Sequence, residues 1–226
     1  MKQTNEQNVV KMNNYRTDTG FSALSQVESY WEALRGSRLV PKRSEIDPRG
    51  IEHALEYTFV LERIAIGMAR FRIAGSHLCN IMGMEVRGMP LSSFITPSGR
   101  ETLGSVLEDV FQSPSACELE MEAEVGRKKP AMEARMVLMP LRSDLGDVSR
   151  ILGCFVAKGE LGTQPRRFEI VTTKLRCLSA GKIEQYVPQQ CEIAARPSGF
   201  REKQTDFNHA SVPTKAPHLR LIKTAN

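Results

Sequence analysis

The sequence has no Cys-x-x-Cys pair, although it contains five cysteines. An odd number of scattered cysteines indicates single thiols in a reducing compartment, so we expect neither a disulfide framework nor a zinc site. No apolar run approaches the roughly 20 residues that a membrane helix needs. The polar first residues, MKQTNEQNVVKMNN, do not resemble a secretory signal. These absences predict a cytoplasmic protein with no membrane partner.

Catalytic and phosphate-binding motifs are also missing. The chain has four histidines and lacks Gly-x-Ser-x-Gly and His-Glu-x-x-His. The run FRIAG ends at Gly75. The glycines around it fit neither of the two spacings of nucleotide-binding loops, Gly-x-x-x-x-Gly-Lys-Ser/Thr and Gly-x-Gly-x-x-Gly. We therefore expect Gly75 only to turn the chain, and His77 to be a surface residue or a helix cap rather than to line a pocket. We expect no metal and no catalytic residue. An enzyme acting on a small substrate is the alternative.

Positive charge is concentrated near the end of the chain. Residues 1–158 carry 20 Lys and Arg and 20 Asp and Glu, whereas residues 159–226 carry 11 and 6. A basic segment makes nucleic acid a candidate partner. Proteins that bind single strands, however, combine such charges with aromatic side chains, which are few here. We expect residues 160–226 to be a mostly disordered, solvated tail without fixed structure beyond about residue 197, rather than a nucleic-acid-binding segment.

The amino-terminal part predicts one amphipathic helix. Residues 1–20 are polar and are expected to be disordered. A helix is predicted from about Ser22 to Arg35, ending at Gly36, because one apolar stripe recurs at three- and four-residue spacings: Phe21, Leu24, Val27, Trp31 and Leu34. With the linker that follows, in which Asp47 and Pro48 start a short helix, this helix forms a segment from residue 21 to 54.

Residues 55–159 show the order strand, strand, short helices, longer helix, three strands. YTFVLERIAIG and MARFRIAG predict a hairpin. CELEMEAEV alternates without error, so it predicts a strand with one buried face and one wet face of glutamates. RILGCFVAKG is apolar on both faces and is expected inside the sheet or covered on both sides. This order predicts an α+β domain, a five-stranded antiparallel sheet with helices on one face.

The element order resembles the PAS fold. Three segments, in the right order, are similar to a family of stand-alone PAS-like proteins of alphaproteobacteria, formerly a domain of unknown function: YWEALRGSRLVPKRSEIDP (30–48), RFRIAGSHLCNIMGMEVRG (70–88) and MPLRSDLGDVSRILG (139–153). Most members have no attached kinase, cyclase or DNA-binding domain. The resemblance implies a sensor or adaptor in bacterial signal transduction, and since this chain has no evident output domain we expect it to act by contact with other proteins.

The resemblance also bears on cofactors. PAS relatives that bind haem use a histidine on the long helix, but residues 97–111 contain none. Photosensory flavin relatives use a cysteine in an Asn-Cys-Arg motif just before that helix, but residues 91–100 contain no cysteine. We expect neither cofactor. A small unidentified ligand between helix and sheet is the alternative to a filled core, and its candidate lining is Met82, Phe94, Leu103, Val106, Leu107, Met136 and Cys154.

The outer face of the predicted sheet is the candidate interaction surface. It carries Glu118 to Glu124 at alternate positions together with Arg135, Val137 and Met139, an exposed mixture suited to a partner. In PAS proteins this face commonly meets an amphipathic amino-terminal helix or a second subunit. The helix over 22–35 has the required stripe, and it covers either its own sheet or that of a second copy in a homodimer. The other expected partner is a signalling protein.

Overall fold

The alternating patterns in the middle of the chain produce one twisted sheet with helices on both sides. The computed structural model describes residues 20–178, 211–213 and 220–222. The helices are α1 (Ser22–Arg35), α2 (Ser76–Met82) and α3 (Arg100–Gln112). The strands are β1 (Thr58–Ala65), β2 (Met68–Ala74), β3 (Ser115–Ala123), β4 (Met132–Arg142), β5 (Val148–Gly159) and β6 (Phe168–Cys177). Short 3₁₀ segments cover Arg43–Glu45, Pro48–Tyr57, Leu91–Phe94 and Pro97–Gly99.

The sheet has the strand order β2-β1-β5-β4-β3-β6, and every neighbouring pair is antiparallel. The first hairpin therefore lies beside the last of the three predicted strands, because β1 pairs with β5 from Thr58 opposite Cys154 to Glu62 opposite Arg150. This confirms the predicted α+β class and the single antiparallel layer. The predicted number of strands is wrong, since a sixth strand pairs with β3 along its whole length.

Strand β6 corrects the predicted domain boundary at residue 159. The segment FEIVTTKLRC was expected to have little fixed structure, yet Phe168 is fully buried and β6 forms one edge of the sheet. Its pairing with β3 has a bulge between Glu120 and Met121, which shifts the register. The bulge interrupts the two-residue period of buried side chains and leaves Val171 59% exposed, so the segment does not show an alternating pattern.

Two further strands lie beyond residue 197, where no fixed structure was expected. Strand β7 (Ser211–Pro213) pairs antiparallel with β8 (Arg220–Ile222). They belong to a separate unit of the chain, residues 192–226. The predicted disorder of residues 1–19, and of the rest of the basic tail after residue 178, falls outside the described residues. No helix in the described part of the chain is long and apolar enough to cross a membrane.

The sheet is buried on both faces. We call the face toward α2 and α3 the inner face, and the face toward α1 the outer face. Strand β5 shows the arrangement most clearly, because Phe155 belongs to the inner core while Leu152 and Val156 belong to the outer one. This confirms the expectation that the apolar run of β5 would be covered on both sides.

Gly75 turns the chain between β2 and α2. A Cβ atom at this position would lie 2.1 Å from the carbonyl oxygen of Glu56, so only glycine allows this close approach of two backbone segments. The backbone N–H of Gly75 donates a hydrogen bond of 2.9 Å to the carbonyl oxygen of Thr58. Since that amide is already bonded within the fold, Gly75 has a structural role and does not present its amide to a phosphate.

Candidate functional site

Six of the seven side chains predicted to line a ligand pocket lie together in the inner core. Each is at most 4% exposed, and they come from α2, the 3₁₀ segment Leu91–Phe94, α3 and β4: Met82, Phe94, Leu103, Val106, Leu107 and Met136. The predicted proximity therefore exists in the fold. Such burial of apolar side chains is what a filled core requires, and a ligand among them stays a prediction.

A row of aromatic rings passes through this inner core. Successive ring centroids are 5.2–5.7 Å apart, and the row runs from Phe59 through Phe71, Phe94 and Phe155 to Phe168. Three of the four pairs have interplanar angles of 73° or 76°, the edge-to-face arrangement that aromatic pairs favour. The last ring belongs to β6, so the added strand closes one end of the core.

Cys154 is the exception among the predicted lining residues. It faces the outer side of the sheet and packs in the cluster beneath α1, together with Val27 and Trp31. The reason is the period of two in a strand, which places Phe155 on the inner face and its neighbour Cys154 on the opposite one. Burial raises the pKa of the Cys154 thiol to about 12. The prediction that Cys154 lines an inner pocket is wrong.

Helix α1 covers the outer face of its own sheet. Phe21, Leu24, Val27 and Trp31 are buried there, as the stripe predicted. Val137 and Met139, which were expected to be exposed, are only 6% and 1% exposed because α1 lies over them. The part of the outer face under α1 is therefore an interface within the chain, and the expectation of an open mixed surface there is corrected.

Polar contacts hold α1 at three points. The indole N–H of Trp31 donates a buried hydrogen bond of 3.0 Å to the carbonyl oxygen of Pro140 in β4. Arg176 in β6 forms ion pairs with Glu28 at 2.9 Å and Glu32 at 2.6 Å. At the start of the helix, the ammonium of Lys158 lies 3.9 Å from the centre of the Phe21 ring. Both the central strands and the added edge strand thus position α1.

His77 has a role in the structure that the sequence did not predict. It lies on α2, half-buried between the rings of Tyr57 and Phe155, and its Nε2 accepts a hydrogen bond of 3.1 Å from the backbone N–H of Ala157. Strand β1 pairs with β5 only as far as Cys154, so the imidazole satisfies a strand amide beyond the end of β1. Burial lowers the pKa of His77, although the charge of Glu56 acts in the opposite direction.

A charged cluster lies on the outer face where β2, β1 and β5 are adjacent. Glu62 accepts hydrogen bonds from Arg70 at 2.8 Å and Arg150 at 2.6 Å, its direct neighbours on the two flanking strands. Arg72 forms an ion pair with the same carboxylate at 3.1 Å. Burial acts to raise the pKa of Glu62, but the hydrogen bonds from Arg70 and Arg150 outweigh it, so the pKa is lowered and the side chain is ionised at neutral pH.

Sequence reasoning missed this cluster. The charges of Glu62, Arg70 and Arg72 interrupt the apolar hairpin pattern, and that interruption was the available signal. Arg150 lies 88 residues from Glu62 in the chain, and only the adjacency of β1 and β5 brings the two together. Among the described residues, no three His, Cys, Asp or Glu side chains are grouped as metal ligands.

The family model for the PAS domain matches residues 20–156, more than half of the 226 residues. The chain belongs to the PAS domain family. The match begins just before α1 and ends within β5, so this PAS domain includes its covering helix, and β6 lies beyond the matched part. No curated protein matches the chain. In general terms, the family indicates a sensor or signalling module.

Proposed function

We propose that this PAS domain is a stand-alone sensor or adaptor in bacterial signal transduction, of the alphaproteobacterial kind that its sequence resembles, and that it acts by contact with other proteins and not by catalysis. One observation supports this most: an amphipathic helix, α1, covers the apolar outer face of the sheet of its own chain. Because one set of contacts keeps α1 on this face, a signal can shift the helix between two arrangements, one that covers the sheet and one that is displaced from it.

The energetics of α1 suit this role. Its buried stripe stabilises the covered arrangement, because apolar area is removed from water on both the helix and the sheet. The ion pairs of Arg176 with Glu28 and Glu32 are partly exposed, so each contributes little. Displacement of α1 would expose an apolar surface that includes Val137 and Met139, and such surfaces are typical protein-binding sites. A partner that covers this surface would therefore stabilise the displaced arrangement.

A homodimer through α1 and the outer face is part of the proposal. Two copies that exchange α1 would make the same contacts that one copy makes with itself, and such an exchange needs no new interface chemistry. Native mass spectrometry of the purified full chain tests this point and reports any retained small molecule in the same measurement. We expect a dimer whose fraction rises with protein concentration, and a monomer at every concentration would contradict it.

Partner recognition is tested by affinity capture with the tagged full chain. The variant Trp31→Phe removes the hydrogen bond to Pro140 and loosens α1 without emptying the core. The matched control, Leu145→Ala, changes a side chain that is already 96% exposed in the turn between β4 and β5. We expect a signalling protein that is recovered reciprocally, and whose recovery changes with Trp31→Phe but not with Leu145→Ala. Recovery of no stable partner, or equal recovery by all three proteins, would refute the proposal.

A further inference from the structure

The charged cluster on β1, β2 and β5 carries more positive than negative charge. Three guanidinium groups, from Arg70, Arg72 and Arg150, surround the single carboxylate of Glu62. One carboxylate neutralises one of them, so the group has a surplus of two positive charges. Arg72 contacts the carboxylate through its Nε and Arg150 through one terminal nitrogen. Because a guanidinium group has five N–H donors, both arginines keep donors for a further anion.

A cleft of about 290 Å³ opens beside this cluster. Arg72 and Arg150 line it, together with Ser143 from the turn between β4 and β5. The volume is near the lower end of the range for small-molecule sites, about 300–1,000 Å³. The size of the cleft thus suits a small molecule.

The segment that links α1 to the domain also contributes to the cleft. Arg43 and Ser44 lie on the 3₁₀ segment Arg43–Glu45 and line the cleft. Glu45, their neighbour, is already paired with Arg38 at 2.8 Å. Within the described residues, no hydrogen bond or ion pair engages the guanidinium of Arg43, which is a half-buried cation beside two others.

The remaining lining is mixed. Val60 and Ile73 lie directly opposite each other on β1 and β2 and form an apolar wall, although Ile73 is 51% exposed. Asp144 contributes the one carboxylate that lines the cleft, in the exposed turn after β4. A ligand that fits this lining has an anionic group for the arginines and a less polar part for the wall.

We propose that this cleft binds a small phosphorylated molecule, with its phosphate between Arg43, Arg72 and Arg150. A phosphate group at neutral pH carries close to two negative charges, and the cleft lining has three arginines and one carboxylate, that of Asp144. Guanidinium forks bind phosphate oxygens in bidentate fashion, and the hydroxyl group of Ser44 can donate a further hydrogen bond. The hydroxyl group of Ser143 already donates to the carboxylate of Asp147. A carboxylate group would contact the same arginines but carries only one negative charge.

The site would deepen the proposed function and in that respect rests on it. Arg43 belongs to the segment that follows α1, whereas Arg72 and Arg150 belong to the sheet. A bound phosphate would join the two and so stabilise the arrangement in which α1 covers the outer face. The sensor would then respond to a ligand that binds outside the inner core.

Isothermal titration calorimetry of the full chain tests the site with pyrophosphate and with ADP as probes, and with citrate as the carboxylate comparison. We expect both phosphorylated probes to bind and citrate to bind more weakly. Arg43→Ala should weaken binding about tenfold or more, because hydrogen bonds to charged groups are lost. Its matched control is Arg49→Ala, which removes an exposed arginine outside the cleft. Asp144→Asn should strengthen binding, since it removes the repelling carboxylate.

Thermal melting of each variant checks that it is folded. Arg43→Ala should melt as the wild type does, because no hydrogen bond or ion pair within the described residues engages the guanidinium of Arg43. No binding of either phosphorylated probe at millimolar concentration would overturn the proposal. Equal affinity of Arg43→Ala and Arg49→Ala, or tighter binding of citrate than of pyrophosphate, would also overturn it. If neither phosphorylated probe binds the wild-type chain while partner capture is intact, this site is refuted and the proposed function is not.

Discussion

At the scale of single residues, Arg166 is a cation inside the protein that is bound by carbonyl oxygens. Its side chain is 0% exposed, and its guanidinium donates to the backbone oxygens of Leu161, Glu124 and Pro130 over distances between 2.5 and 3.1 Å. These oxygens belong to the turn between β3 and β4 and to the connection between β5 and β6. One side chain therefore joins two loops at the same end of the sheet.

Replacing Arg166 by methionine should lower the free energy of unfolding by at least about 3 kcal/mol, because three carbonyl groups lose their donor inside the protein. Chemical denaturation measures the effect. Arg127→Met is the control in the same turn, where the side chain is exposed, and it should change stability by no more than about 0.5 kcal/mol. Equal effects of the two substitutions would show that Arg166 is not the link between the loops.

His77 should make stability depend on pH. Its pKa in the folded protein is lowered by burial, so the unfolded chain takes up the proton first as the pH falls. The stability contributed by the neutral imidazole is complete above the unfolded pKa of about 6.5 and is lost as the pH falls toward the folded pKa. Glu56 opposes this shift, and Tyr57 and Phe155 form the surroundings of the ring.

The test is thermal melting between about pH 5 and pH 7.5, around the ordinary histidine pKa. We expect His77→Gln, which keeps an acceptor for the Ala157 amide but does not titrate, to lose stability less steeply than the wild type as the pH falls. His53→Gln changes an exposed histidine and should follow the wild type. If His77→Gln keeps the full wild-type slope, the imidazole is not the group responsible.

At the scale of elements, α1 and the sheet form a contact that two cysteines can report. Cys154 lies under α1 and Cys117 lies in the inner core, and burial raises the pKa of each thiol to about 12. Both thiols are therefore protonated and shielded in the folded protein, and alkylation requires local opening. Because only Cys154 depends on α1, the two rates separate motion of α1 from general unfolding.

We expect Trp31→Phe to increase the alkylation rate of Cys154 about fivefold, as the loss of one buried hydrogen bond implies, and to leave the rate of Cys117 unchanged. Peptide mass spectrometry after timed exposure to iodoacetamide measures both sites in one sample. Leu145→Ala should change neither rate. Parallel acceleration of both cysteines would mean that α1 does not move as a separate element.

Elements with a regular period were predictable from the sequence, and those with an interrupted period were not. The stripe from Phe21 to Trp31 predicted the extent of α1, and the alternation of β3 predicted its buried face. Strand β6 was missed because its bulge breaks the alternation. Cys154 was assigned to the wrong face because β5 is apolar on both sides. Its sequence pattern therefore does not show which face of the sheet each side chain occupies.

At the scale of the whole molecule, the domain extends through β6. Strand β6 pairs with β3 from Ser115 to Ala123, and it contributes Phe168 to the inner core and Arg176 to the contact with α1. A chain shortened to end at Gly159 would leave β3 as an unpaired edge beside an open core. We expect that chain to melt far below the full chain or to aggregate.

A chain shortened to end at Leu178 is the matched comparison, because it keeps β6 and removes the rest of the basic tail. Its melting temperature should stay within a few degrees of that of the full chain, as measured by differential scanning calorimetry. A chain ending at Gly159 that melts as the full chain does would show that β6 is an accessory strand and that the boundary predicted from the sequence is adequate.

The sequence by itself determined which segments of this PAS domain are amphipathic, where most helices and strands begin and end, and that they form an α+β fold. These properties depend on neighbours three or four residues apart, or two apart in a strand, and such neighbours are visible in the chain. Only the tertiary structure decided that α1 covers its own sheet, that β6 closes the inner core, and that Arg150 meets Glu62. Those contacts join residues far apart in sequence, and their free energy depends on strand order, which no local pattern encodes.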